Sequence, residues 1–401
     1  MKSKSTSGII KYYLYTAFTQ LRFTRIINVL FIVQCLHENL VKFALFQSVF
    51  LFSQFIFEIP SGILGDLMKK KTIIGIGLSI LIVSPLLLYS SIFLPIDYVD
   101  SALLVAFSLE GIGNALLSGA DDALFYQTIR EEGSEKRYAR IRGNAQLISA
   151  IFLGLATFIG GYIFSIHIFL PFIAQSSLLL LAMGVIFSVK SEKVSNDSNV
   201  KNTRTVLLEI ISVFGLMIKS KNVCYLFLFT TLVVSGINAL FSILPQSVAE
   251  LGFSSSENGT IFMIYSLIGG VVATQSYRLE NFSIKRIVGM IITILIFASL
   301  LQISGTSVMV IVGLGLLYIT VDIIDPIVMS MLNSWVDDKS RATFISGLSF
   351  LISLVTMVMT PVMAIILKQY DLITTSIVTA ATIILLSIIG YMLLARKSTT
   401  V

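Results

Sequence analysis

Long apolar runs alternate with short polar clusters along the whole chain. Twelve runs can be marked, at 10–35, 41–66, 72–94, 100–127, 141–166, 168–189, 222–248, 258–277, 284–304, 306–333, 341–367 and 372–395. Each is long enough to cross a hydrocarbon core of about 30 Å as a helix. They are too long for barrel strands and lack strict alternation. The pattern predicts an all-α membrane protein with twelve transmembrane helices. The longest polar stretch, 190–221, contains Ser195-Asn196-Asp197-Ser198-Asn199 and reads as a solvated linker. It divides the chain into two six-helix bundles, residues 1–189 and 222–401, which suggests internal repetition.

Composition narrows the function classes. Of 401 residues, 56% are hydrophobic and 12% charged, about half the charge of a soluble protein, roughly 25%. Soluble enzymes and free nucleic-acid binders are therefore excluded, and the net charge of +6 is assigned to cytoplasmic loops rather than to a nucleic-acid partner. Cys35 and Cys224 form no metal-ligand spacing. There is no phosphate-binding Gly loop with Lys-Ser/Thr, no nucleophile–base set and no zinc set, so neither enzyme activity, a cofactor nor internal ATP drive is expected. The first run contains Arg22 and Arg25 with no small-residue cleavage site after it, and is read as an uncleaved insertion signal.

Basic residues set the expected orientation. With the N-terminus inside, the inner segments hold 24 of the 28 Lys and Arg, including Lys69–Lys71 and the Arg130–Arg142 stretch. Only Lys42 and Lys368 fall outside, and Arg22 and Arg25 are intramembrane. This asymmetry predicts a multi-pass protein of the cytoplasmic membrane with both termini in the cytoplasm.

The second run ends in Glu58-Ile59-Pro60-Ser61-Gly62-Ile63-Leu64-Gly65-Asp66-Leu67-Met68-Lys69-Lys70-Lys71. Ser61, Gly62 and Gly65 let a neighbouring helix approach closely, and Asp66 is placed to cap a helix N-terminus at the membrane surface. The stretch resembles the loop 2–3 signature of the major facilitator superfamily, Gly-x-Leu-x-Asp-Arg-x-Gly-Arg-Arg/Lys. Gly62, Leu64, Asp66, Lys70 and Lys71 match it in position or character, whereas Leu67 and Lys69 replace its Arg and Gly. Ser118-Gly119-Ala120-Asp121-Asp122-Ala123-Leu124-Phe125-Tyr126 in the fourth run, and Arg341-Ala342-Thr343 opening the eleventh, are similar to a bacterial drug-efflux-like branch. The resemblance implies two bundles rocking about a midplane site. It assigns a gating role to Gly62, Asp66 and Lys70; Glu58, about two turns inside Asp66, serves either that gate or proton coupling.

Charges inside the membrane mark the candidate site. An Arg at a helix centre costs roughly 2.5–3.5 kcal/mol on insertion scales, so Arg22 and Arg25 are not expected to face lipid. Three residues apart in one helix, they share a face, predicted to point into the cavity, where they hold an anionic substrate, a coupling carboxylate or a packing salt bridge. Glu110, Asn114, Ser118 and Asp121 or Asp122 form one stripe of the fourth helix. A carboxylate that alternates between a dry cavity and an arginine neighbour can take up and release a proton, so Glu110 is the first candidate coupling acid and Asp122 the second. Asp121 and Asp122 could instead pin the Arg137–Arg142 loop. In the second half, Asp322 and Asp325 on the tenth helix are the repeat counterparts of the helix 4 acids, and Asn238 on the seventh is a substrate hydrogen-bond candidate.

The resulting expectation is a monomeric secondary transporter of a small molecule, coupled to protons, that exports drug-like or amphipathic compounds. Drug–proton antiporters of the superfamily carry an Arg where this chain has Phe107, and a Gly-Pro signature in helix 5 where it has Ala156 and Thr157. Two alternatives stand beside export: proton-coupled uptake or exchange of a small organic anion, which the arginines favour, and a non-transporting immunity or sensor protein on a transporter fold.

Overall fold

The computed structural model describes residues 7–134, 137–189, 221–279, 282–335 and 338–392. Nearly all of the expected linker, at 190–220, lies outside the described residues. The elements are helical throughout: α1 (Ser7–Gln20), α2 (Ile27–Leu30) continuing as a π-helical turn (Phe31–Cys35), α3 (Leu40–Leu67), α4 (Lys70–Ser90), α5 (Ile96–Leu117), α6 (Ala120–Glu131), α7 (Tyr138–Ile166), α8 (Leu170–Ser188), α9 (Lys221–Glu250), α10 (Ser255–Gln275), α11 (Ile284–Ile303), α12 (Ser307–Trp335), α13 (Asp338–Gln369) and α14 (Leu372–Gly390). Among the described residues, ten helices are long and apolar enough to cross a membrane. The other two expected spans are helical but differ in character. The first is split into α1 and α2, and the eighth, α10, opens on the polar sequence Ser255-Ser256-Glu257-Asn258.

The chain divides into two compact units. The first comprises Met1–Asn39, Val49–Thr203 and Phe253–Ile264, the second Leu40–Ser48, Arg204–Gly252 and Tyr265–Val401. In the first unit α4 is the hub, packed on α5, α6 and α8, while α1 packs on α7 and α8. Small residues bring α4 and α5 together: a side chain on Gly113 would press on Leu81, and one on Gly77 on Leu116 and Leu117. Buried hydroxyls add directional contacts, Ser84 Oγ donating to the Ala106 carbonyl at 3.0 Å and Ser176 Oγ to the Ile82 carbonyl at 2.9 Å. Lipid removes the hydrophobic drive between helices, so close van der Waals packing and such bonds, averaging about 0.6 kcal/mol each, hold the bundle. They fix α5 and α8 around α4, and with them Glu110, Asn114 and Gln175.

In the second unit α9 is the buried centre, packed on α12, α13 and α14, with α11 against α12 and α14. Ser235 Oγ donates to the Ile352 carbonyl at 3.0 Å and Tyr225 Oη to the Ser387 carbonyl at 3.2 Å. Phe241, Tyr265 and Tyr318 form an aromatic cluster from α9, α10 and α12, with ring centroids 5.2–6.2 Å apart.

Candidate functional site

The first membrane helix stops at Gln20 and resumes at Ile27. Thr16 and Thr19 lie in its last turns, and their hydroxyls bond back to the Tyr12 and Tyr15 carbonyls at 2.9 Å each, a pattern that loosens and bends helices. Between the two segments the backbone-to-backbone bonds are short-range, such as Arg22 N to the Gln20 carbonyl at 2.8 Å and Arg25 N to the Arg22 carbonyl at 3.2 Å. Non-helical backbone at membrane depth persists only where protein satisfies it. Gln175 of α8 does so here. Its Oε1 accepts from both Thr24 N at 3.0 Å and Thr24 Oγ1 at 2.9 Å. On the other side of the break, Gly160 of α7 lets the Phe23 carbonyl approach to a distance that any Cβ would obstruct.

The break changes the geometry expected for the two arginines. They do not share a helix face, because no helix runs through them. Arg22 enters a cavity of about 20 Å³ together with Glu110, Asn114 and Gln175, walled by Leu81 and Leu117. Arg25 is exposed. Arg22 Nη2 donates to Asn114 Oδ1 at 2.9 Å, and Asn114 Nδ2 donates to the Glu110 carbonyl at 2.7 Å, one turn back along α5. Asn114 thus aims the guanidinium, and Glu110 and Arg22 lie within electrostatic range of each other. The cavity volume suits about one water molecule.

The helix 4 stripe is also interrupted. After Leu117 the chain turns through Ser118 and Gly119, the latter at φ +77°, a conformation open to glycine, and α6 begins at Ala120. Asp121 and Asp122 occupy its first turn, where carboxylates suit the helix dipole. They do not line the cavity. Tyr15 Oη donates to Asp121 at 3.3 Å, Tyr12 Oη to Asp122 at 2.9 Å, and Arg142 Nη2 to Asp122 at 2.9 Å. The Phe125 ring, fully buried, packs on both tyrosines at 4.8 and 5.3 Å. Gly8 N donates to the Glu132 carboxylate at 3.0 Å. The two tyrosines and Phe125 belong to the buried core of the first unit, and the two aspartates bind α1 to α6 and α7 beside it.

The remaining candidates are dispersed. Asp322 of α12 lies against Gly269 of α10, at a spot that a Cβ on the glycine would occupy. Asp325 and Asn238 are exposed. In the gate segment, Glu58 is exposed, its carbonyl accepts from Ser61 Oγ at 2.8 Å, and Lys70 Nζ donates to Gln127 Oε1 at 3.2 Å. Gly62 and Asp66 lie on α3, with side chains outside the described residues. Sequence reasoning missed Gln175, although it is the single amide within the sixth apolar run. Among the described residues no group of three or more His, Cys, Asp or Glu is arranged to hold a metal ion.

Comparison with known proteins bears on this geometry. A family model described as Major Facilitator Superfamily matches residues 14–321 and, in a second match, 226–400. A relative from Bacillus subtilis (strain 168), described as the uncharacterized MFS-type transporter YxaM, is 23% identical over 326 residues, covering 77% of this chain and 76% of its own length. Among solved structures, the nucleoside transporter NupG superimposes with a TM-score of 0.79 at 13% identity, covering 99% of this chain and 100% of the other. A bacterial homologue of the human lysosomal transporter Spinster, inward-facing and unoccupied, gives 0.72 at 15% identity over 99% and 98%. A bacterial homologue of the iron transporter ferroportin gives 0.70 at 13% identity over 96% and 98%. At these identities the solved structures establish a shared fold.

Proposed function

From the premise that the chain belongs to the major facilitator superfamily, a family of multi-pass membrane transporters, we propose that it exports drug-like or amphipathic compounds across the cytoplasmic membrane by proton-coupled alternating access, with Glu110 as the proton carrier. The observation that carries the reading is the shared cavity of Arg22, Glu110 and Asn114 at the break in the first helix. An ionisable pair inside a membrane marks a coupling or substrate path. A space of about 20 Å³ has room for about one water beside the Glu110 carboxyl, not for a drug-like molecule. In one half of the cycle the ionised Glu110 faces Arg22. In the other half, protonation removes that attraction and lets the arginine change partner, which links proton loading to a change of conformation. Export is the direction supported by the likeness of 118–126 to drug-efflux-like members.

A second reading, uptake or exchange of a small organic anion, is favoured by one observation. The Arg22 guanidinium opens onto the cavity, where it could hold a carboxylate head group bidentately.

The test is proton flux in proteoliposomes of the purified protein under an imposed pH gradient, against lipophilic cations and organic anions. Dissipation driven by cations, lost in Glu110→Gln, supports export. A response confined to anions and lost in Arg22→Lys supports the second reading. Silence toward every compound, with the protein shown to be folded, moves the weight to a non-transporting immunity or sensor role.

A further inference from the structure

The break in the first helix and the cavity share one residue, Gln175. Gln175 is buried, 8% exposed, and so is Thr24, at 3%. The amide oxygen of Gln175 is the acceptor for both the N–H and the hydroxyl of Thr24. Its side chain also lines the cavity that holds Arg22 and Glu110. Thr24 is two residues from Arg22, so whatever moves the Thr24 backbone moves the arginine. On the far side the Phe23 carbonyl rests on Gly160. The break is thus held between a glycine surface that gives only steric support and one amide that gives all the side-chain hydrogen bonding to Thr24.

We propose that Gln175 is a positioning residue through which the state of the cavity reaches the backbone of helix 1. The amide oxygen holds the break closed at Thr24, and the amide NH2 is the group that answers to the charge on Glu110 across the cavity both residues line. A primary amide carries two donors and an acceptor on one rigid plane. Attraction of its nitrogen toward an ionised Glu110 fixes the plane and keeps the oxygen on Thr24. Neutralising Glu110 removes that restraint, the plane turns, and the freed Thr24 N–H loosens the segment carrying Arg22. The link is reciprocal: a change in the break alters the proton affinity of the cavity by the same factor. It rests on Glu110 being the coupling acid, and supplies the path by which a proton there is felt by the fold.

Hydrogen–deuterium exchange over residues 21–26 of the full chain in nanodiscs tests this without a known substrate. Glu110→Gln mimics the neutral acid at constant pH. It is expected to speed exchange at 21–26 by roughly fivefold or more, the lower range of site-to-site coupling. Gln175→Leu is expected to speed exchange as well, and adding Glu110→Gln to it should then change nothing, because the link is already cut. A bracket with only a structural role predicts otherwise: fast exchange in Gln175→Leu, and wild-type exchange in Glu110→Gln. Either that outcome or additive effects in the double variant overturns the proposal. If Gln175→Leu does not fold, Gln175→Met, an unbranched side chain of similar length that lacks both amide groups, completes the same cycle with Glu110→Gln. Proton flux separates this from the functional reading. Glu110→Gln that abolishes flux yet leaves exchange untouched sinks the Gln175 link alone. A coupled cycle with flux intact sinks Glu110 as the proton carrier and leaves the link standing.

Discussion

In the first unit the apolar runs that hold Arg22, Arg25, Glu110, Asp121 and Asp122 are interrupted, at 21–26 and at Ser118–Gly119; in the second, the helices that carry Asn238, Asp322 and Asp325 run on unbroken for 30 and 29 residues. Proline does not explain the difference. Pro60, Pro85, Pro245, Pro326 and Pro361 all sit inside continuous helices, whereas the Gln20–Ile27 stretch contains neither Pro nor Gly. Neighbouring helices and hydroxyls re-satisfy a proline gap in a membrane. What makes a lasting break is a partner for the released backbone, and Gln175 supplies it in the first unit. The result is that Arg22 leaves the helix axis and enters the cavity that Glu110 also lines. On the continuous α12, Asp322 instead lies on the helix surface against Gly269.

The largest effect should fall on that asymmetry. Glu110→Gln is expected to cut proton-driven transport by at least about 100-fold, in the range for losing a proton-transfer group, with folding retained. Asp322→Asn should keep coupled transport. Flux measured at matched protein density decides it, and equal losses in both variants would mean that the two units share the coupling chemistry despite their different geometry.

The two halves can also be compared through their glycines. Gly160→Ala puts a methyl group on the Phe23 carbonyl, and is expected to cost about 1–3 kcal/mol, the usual penalty for overpacking. Gly270→Ala in the second unit meets open space and should leave thermal unfolding in detergent unchanged. If Gly160→Ala is equally silent, the break is softer than its close contact with α7 implies.

Much of this was legible in the chain before the fold was known. The apolar runs follow from hydropathy, the likeness at 62–71 rests on a motif resemblance, and attention to Glu110, Asn114 and Arg22 follows from the cost of burying charge in a membrane. The break was not legible. Reading 10–35 as one helix placed Arg25 beside Arg22, because periodicity assumes continuity and the residue that ends the helix lies about 150 positions away, on α8. Gln175 was overlooked for the same reason: its role is set by a tertiary bond to a backbone N–H, which no local pattern reports. Asp121 and Asp122 were read into the cavity by extending the α5 stripe through Gly119, whose positive φ redirects the helix.

A cap in the second unit gives a smaller, pH-dependent effect. Asp371 precedes α14, and its carboxylate accepts from Thr374 N at 3.0 Å. Bonds from the Thr374 side chain and backbone hold it below the ordinary carboxylate range. A depressed folded-state pKa contributes stability above the unfolded value, and that contribution is lost as pH falls through the folded one. Asp371→Ala is expected to cost about 1 kcal/mol at neutral pH, as for other N-caps. The gap between variant and wild type should close below about pH 4, near the free aspartate value. A gap that persists in acid would show that packing, not the cap, was lost.

The smallest effect belongs to the ion pair between Arg142 and Asp122. The two side chains are 53% and 40% exposed, and exposed pairs contribute about 0–1 kcal/mol. Arg142→Ala should therefore scarcely move the melting temperature, and added salt should erase what difference there is. Asp122→Asn is the sharper variant, because it also weakens the bond from the buried Tyr12 hydroxyl, and a hydrogen bond to a charged group is worth about 1.5–3 kcal/mol. If the two variants destabilise alike, the contribution of Asp122 lies at the surface. A larger loss in Asp122→Asn would mean that the aspartates act mainly inward, holding α1, which leads into the break at Arg22, to α6 through the Tyr12 and Tyr15 hydroxyls.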